Sequence, residues 1–235
     1  MSKRVLIVVT SHARMGDTDT QTGIWLEELA VPYYRFVDAG VAVEIASPRG
    51  GAAPLEPKSL GSQVRNDPAV DRFLADPVAQ QRVAATLPLA AVDAAAFDAV
   101  FLPGGHGTMW DLPVDAGVQR AVEQAEAAGR VIAAVCHGPA GLVTARRADG
   151  EPLVAGKRVT AFTNAEEDAV GLTTVVPFLL ESRLRELGAD FVSGPNWLSL
   201  AVRDGRLITG QNPASSAAVA DHVMTAITEA RYHNA

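Results

Sequence analysis

The chain has one cysteine, Cys136, in 235 residues. A single thiol excludes an intrachain disulfide framework and fits a reducing compartment, where a free thiol survives. Long apolar runs are missing too. None approaches the roughly 18–20 residues that cross a bilayer, so no membrane association is expected. The run Val5 to Val9 follows two cations. It is too short for a secretion-signal core and reads as the first strand of a cytoplasmic protein. Lys/Arg clusters are absent, and the formal net charge is -7. Both argue against nucleic acid as the main partner. Neither G-x-x-x-x-G-K-[ST] nor G-x-G-x-x-G occurs, which makes ATP and NAD poor candidates. There is no internal repeat and no heptad pattern.

What is present is a large apolar fraction, 48%, enough for a sizeable core in one α/β domain spanning residues 1–235. Arg4 to Thr10 reads as a strand, and Ser11 to Gln21 as a polar loop at its end. Ile24 to Ala39 reads as a helix in which Pro32 predicts a kink or break. Val41 to Ala46 alternates as a second strand. Residues 50–90 differ in texture and read as a cap-like helical insertion. Asp67 and Asp76 are candidate N-caps, each followed by a proline suited to a first helical turn. Further strands are expected at Asp98 to Leu102, Val131 to Val135, Arg158 to Phe162, Ala189 to Val192, Leu198 to Arg203 and Leu207 to Thr209. Helices are expected at Val114 to Ala128, Pro177 to Leu187 and Ser215 to Thr228, and a polar loop at Thr163 to Gly171. Alternating strands and helices predict a flavodoxin-like helix–sheet–helix sandwich with a mostly parallel sheet, its sites at the carboxyl ends of strands.

One stretch organises the chemistry. Val131 to Val135 runs straight into Cys136 and His137, and Gly138, Pro139 and Ala140 then open a helix. Strand, nucleophile, helix is the order of a nucleophile elbow, and a helix N-terminus favours a thiolate. His137 is the candidate base. Glu166 or Glu167 can orient its imidazole, and the residues alone do not choose between them. Gly104 and Gly105 end another strand and can turn backbone amides, with that of His137, toward a developing negative charge. Glu28 lies in an apolar stretch, where desolvation raises a carboxyl pKa, while its neighbour Glu27 reads as solvent-facing. His12, His106, Cys136 and His137 have spacings too irregular for a zinc centre. No metal and no cofactor is expected.

The segments LPGGHGTMWDLP (102–113), AVCHGPAGLV (134–143) and NPASS (212–216) resemble the ThiJ/PfpI superfamily, relatives of class I glutamine amidotransferases. WLEELAVPYYRF (25–36), GKRVTAFTNAEED (156–168) and DGRLITGQNPASS (204–216) narrow the resemblance to the glyoxalase III and heat-shock chaperone branch. The likeness implies Cys136 as nucleophile, His137 and Glu167 as its partners, Glu28 as proton carrier, and Gly105 and His137 as oxyanion donors. Val31 stands where some members carry a histidine, which bears on substrate preference. The implied activity is that of a glutathione-independent glyoxalase, a D-lactate dehydratase turning methylglyoxal into lactate through a cysteine hemithioacetal, with protein deglycase action as a companion. The rivals are a cysteine amidase or peptidase with the same residues, and a stress holdase chaperone whose thiol senses redox state. The implied partners are a small reactive aldehyde and a second copy of the chain in a homodimer.

Overall fold

The structure, a computed structural model, describes residues 3–61 and 67–232. Strand β1 (Arg4–Val8) is buried on both faces beyond its first residue. Odd residues Val5, Ile7 and Val9 enter one apolar cluster, and even residues Leu6 and Val8 enter another. That is the period-two signature of a central strand. Helix α1 (Leu26–Asp38) covers the first face and runs on past Pro32 without the expected break. Phe36 meets Phe101 edge-on at 5.9 Å beneath it.

Strand β2 (Ala42–Ser47) pairs parallel with β1. Helices α2 (Pro68–Ala75) and α3 (Pro77–Ala84) follow, capped by Asp67 and Asp76 with proline in the first turn, as the sequence indicated. Their Val70, Phe73, Ala79 and Val83 are buried in the same cluster as α1. After β3 (Leu87–Pro88) and β4 (Ala99–Leu102) come α4 (Thr108–Asp111) and α5 (Ala116–Ala127), then β5 (Val131–Val135). Val118 and Val122 of α5 fill the second face. The segment after β5 is not an α-helix but five residues of 3₁₀ helix, Gly138–Leu142.

The chain continues through β6 (Arg158–Val159), α6 (Asn164–Ala169), α7 (Leu180–Glu186), β7 (Asp190–Phe191), β8 (Ala201–Asp204), β9 (Leu207–Gly210) and α8 (Ser216–Tyr232). Helix α6 replaces the loop expected at 163–171. Thr163 and Glu166 form a reciprocal capping box that starts it. The main sheet has the order β3-β2-β1-β4-β5-β9-β8. Its pairs are parallel except the β8–β9 hairpin, whose two-residue turn is Gly205 and Arg206. β6 and β7 pair separately. The architecture is the flavodoxin-like sandwich, and it gathers the carboxyl ends of β1, β4, β5 and β9 at one edge. Among the described residues, no helix is long and apolar enough to cross a membrane.

Candidate active site

Cys136 is the first residue past β5 and has φ = 60°. A left-handed backbone is costly for a side chain with a Cβ, so the surroundings must hold it. They do: its N–H donates to the Gly210 carbonyl and its own carbonyl accepts from Phe162 N–H, each at 2.9 Å. The bend aims the sulfur into a cavity of about 330 Å³. Glu28, His106 and His137 share that cavity with the aromatic rings of Trp25, Phe162 and Trp197. Of the three polar strand-end loops, those at 104–107 and 136–137 reach it. The loop at 11–21 does not line it, being tied instead to Asp111, whose carboxylate accepts from the Thr10 hydroxyl and the Ser11 amide at 2.7 Å each. No described residue of the 50–90 segment lines the cavity.

His137 is fully buried. Its Nε2 lies 2.7 Å from Glu167 Oε2, and its Nδ1 lies 3.4 Å from the sulfur. Burial, and secondarily His106, lower the imidazole to about 4, so it is neutral at pH 7. With Nε2–H given to Glu167, Nδ1 is left as an acceptor facing the thiol. The other Glu167 oxygen accepts from His106 Nε2 at 2.8 Å. Burial alone would raise the Glu167 carboxyl, but the two histidines outweigh it and hold it down at about 2. Between the two glutamates left open by the sequence, Glu167 is the one bonded to His137. Glu166 is not a solvated neighbour; it is fully buried and bonded elsewhere.

Glu28 is likewise fully buried. Its Oε2 accepts from Gly104 N–H at 2.7 Å, while Oε1 has no hydrogen-bond partner. Burial pushes the carboxyl up to about 8, so it is protonated at neutral pH. The thiol is also pushed well up, first by burial and then by the Glu28 carboxyl beside it. This reverses the expected stabilisation of a thiolate. The helix behind Cys136 is one short 3₁₀ segment, and its dipole does not offset the loss of water. Glu27 is a second correction: it is buried rather than solvent-facing, lines the cavity, and has its pKa raised chiefly by burial.

The glycine pair divides its work. The Gly104 amide is taken by Glu28 and is not free for an oxyanion, contrary to the sequence reading. A Cβ at Gly104 would lie 2.6 Å from His137 N and 2.8 Å from Glu28 Oε2, so glycine is what lets the carboxyl in. Gly105 has φ = 103°. Among the described residues the amides of Gly105 and His137 donate to no protein oxygen. The Thr108 hydroxyl lies 2.9 Å from the Gly105 carbonyl and 3.1 Å from that of His137, which ties the two strand-end turns to each other. Thr108 went unnoticed in the sequence because a lone threonine carries no pattern. His106 was weighed there only as a metal ligand.

The metal-capable atoms of His106, His137 and Glu167 lie within 4.8 Å of one another. Both carboxylate oxygens already receive a histidine N–H, so the cluster is satisfied by its own hydrogen bonds. His12 is elsewhere, stacked on Trp110 at 5.4 Å.

The sequence profile of the DJ-1/PfpI family matches residues 20–226. A glutathione-independent glyoxalase, hsp3101 of Schizosaccharomyces pombe, is 32% identical over 228 residues, 93% of this chain and 93% of its own. The crystal structure of glyoxalase III from Candida albicans superimposes with a TM-score of 0.87 at 27% identity, covering 95% of this chain and 97% of that one. The Rapid Encystment Protein of Francisella tularensis does so at 0.91 and 40% identity, covering 96% and 99%.

Proposed function

The chain belongs to the DJ-1/PfpI family, and on that footing we propose that it is a glutathione-independent glyoxalase converting small α-oxoaldehydes to 2-hydroxy acids. The observation that carries the reading is geometric: His137 Nδ1 lies 3.4 Å from the Cys136 sulfur and Glu28 lines the same cavity, with burial holding the imidazole low and the carboxyl high. An intramolecular redox rearrangement needs a proton donor and a proton acceptor held beside the reacting carbons.

The thiol attacks the aldehyde carbon as its proton passes to His137 Nδ1. The carbonyl oxygen takes up charge at the Gly105 and His137 amides and receives that proton, giving the hemithioacetal. Glu28 protonates the neighbouring ketone oxygen, and its carboxylate removes the proton from C1. The resulting enediol takes that proton back at C2 and loses the one on the C1 oxygen, leaving a 2-hydroxyacyl thioester and a protonated Glu28. Water hydrolyses the thioester and frees the cysteine. One carbon is oxidised as its neighbour is reduced, so no outside electron carrier is required. Glycated amines, reached by the same thiol, and a homodimeric assembly are further parts of the proposal.

The test is lactate formation from methylglyoxal without glutathione or added metal, for the wild type, Cys136→Ser and Glu28→Gln. Turnover to one enantiomer, lost in both variants, supports the reading. A folded, reduced protein that makes no lactate overturns it and moves amide hydrolysis and holdase activity to the front.

A further inference from the structure

Trp197 is the second described residue besides Cys136 that has a side chain and a positive φ, at 65°. A bulky residue adopts this conformation where its surroundings impose it, and such residues gather at ligand sites. The imposing group is Glu166. Its Oε2 accepts from Thr163 N–H at 3.1 Å and from the Thr163 hydroxyl at 3.2 Å. Its Oε1 accepts from Trp197 N–H at 2.9 Å, Gln211 Nε2 at 3.1 Å and Asn212 Nδ2 at 2.8 Å. Asn212 also holds the Leu198 carbonyl at 2.9 Å. Consecutive residues of α6 thus hold two different parts of the cavity lining: Glu167 clamps His137, and Glu166 fixes the backbone that presents the Trp197 indole. That ring lies 5.8 Å from Phe162 and is 47% exposed.

A cavity of about 330 Å³ is far roomier than a three-carbon aldehyde needs, and falls within the size of pockets that enclose ring-bearing ligands. Beyond the reacting groups its walls are largely apolar, with Trp25, Phe162, Val170, Trp197 and Pro213; the polar members His106 and Asn212 are engaged by Glu167, and by Glu166 and the Leu198 carbonyl. Glu27 and Glu28 are its acidic members, and no lysine or arginine among the described residues lines it. A carboxylate or phosphate on the substrate meets two acidic residues there and no lysine or arginine to pair with.

We infer that the site selects neutral α-oxoaldehydes bearing an apolar, ring-sized substituent, and that Trp197, positioned by Glu166, is the residue that selects them. The inference rests on the glyoxalase reading and names its substrate class. For an aryl substrate R–CO–CHO the balance is that given above. The C1–S bond forms, the C1 proton moves to C2, and water breaks the thioester to give R–CH(OH)–COO⁻, a proton and the free thiol.

The experiment compares kcat/KM for methylglyoxal, phenylglyoxal and 4-carboxyphenylglyoxal, with mandelate and lactate resolved by chiral chromatography. Phenylglyoxal is expected to exceed methylglyoxal by at least about tenfold, chiefly through KM, and the carboxylated analogue to fall below phenylglyoxal by a similar factor. Trp197→Ala should cut the phenylglyoxal-to-methylglyoxal ratio by about tenfold through KM, Trp197→Phe should restore most of it, and Glu166→Gln should lower it in the same direction. If Glu166→Gln does not fold, the Trp197 pair decides. Equal kcat/KM for the two neutral substrates, or a Trp197→Ala loss shared equally between them, overturns the inference while methylglyoxal turnover leaves the glyoxalase reading standing. Absence of turnover on every aldehyde sinks both.

Discussion

Gly104 N–H donates to Glu28 Oε2 at 2.7 Å, and this one bond decides where the carboxyl keeps its proton. The oxygen that accepts is the carbonyl-like one. Oε1 carries no protein hydrogen bond of its own, and it belongs to a side chain lining the cavity beside Cys136, so the proton is expected on Oε1. Replacing Glu28 by Gln keeps the shape and removes the exchangeable proton. The expected loss in kcat is on the order of 10²–10⁴, read by steady-state kinetics, with thermal unfolding checking the fold.

The pH profile of kcat/KM should be a broad bell. The base must be neutral, and His137 protonates at about 4. The acid must be protonated, and Glu28 ionises at about 8. A plateau between those limbs is expected. Failure of the alkaline limb to move in Glu28→Gln would remove Glu28 from the acid role.

Glu167 sets the tautomer of His137 by accepting from Nε2 at 2.7 Å. Glu167→Gln can turn an N–H toward that nitrogen and push the ring proton to Nδ1, where it blocks the thiol. A fall in kcat of roughly 10²–10⁴ is expected with little change in KM. A variant with unaltered kcat would show that the orientation of the imidazole does not matter.

The same groups fix how stability follows pH. Glu28 has a folded pKa of about 8, above its ordinary 4.5. The folded state therefore holds the extra proton between those values, and stability falls as pH rises through them, by about 1.4 kcal/mol per pH unit at most. His137 and Glu167 act oppositely. Their folded values of about 4 and about 2 lie below 6.5 and 4.5, so each loses stabilising effect as pH falls through its own window. Denaturant titrations at pH 5 and pH 8 should show Glu28→Gln gaining on the wild type at pH 8. A parallel pair of curves would contradict the assignment.

Gly105→Ala and Gly104→Ala should fail differently. At Gly105 a Cβ would meet Gly23 O at 2.2 Å on a backbone with φ = 103°, and a stability loss of about 2–4 kcal/mol is expected. At Gly104 the clash is with His137 N and Glu28 Oε2. Activity should drop further than the unfolding midpoint suggests.

The family resemblance, the alternation of strand and helix, the Asp67 and Asp76 caps and the strand–Cys136–His137 elbow were legible in the sequence because each rests on neighbours a few residues apart. The capping box Thr163-x-x-Glu166 was legible as well, and reading it would have placed α6 and shown that Glu166 and Glu167 leave one helix in different directions. Residue types and spacing determined by themselves that this is a parallel α/β protein with its one thiol on a tight turn. The tertiary structure alone decided the ionisation and the geometry around that thiol. Burial in the folded core, not a helix dipole, shifts Cys136, Glu28 and His137. Contacts 76 and 30 residues apart in sequence choose Gly104 for Glu28 and Glu167 for His137. Desolvation and long-range hydrogen bonds depend on what the folded chain brings near, and no local pattern encodes them.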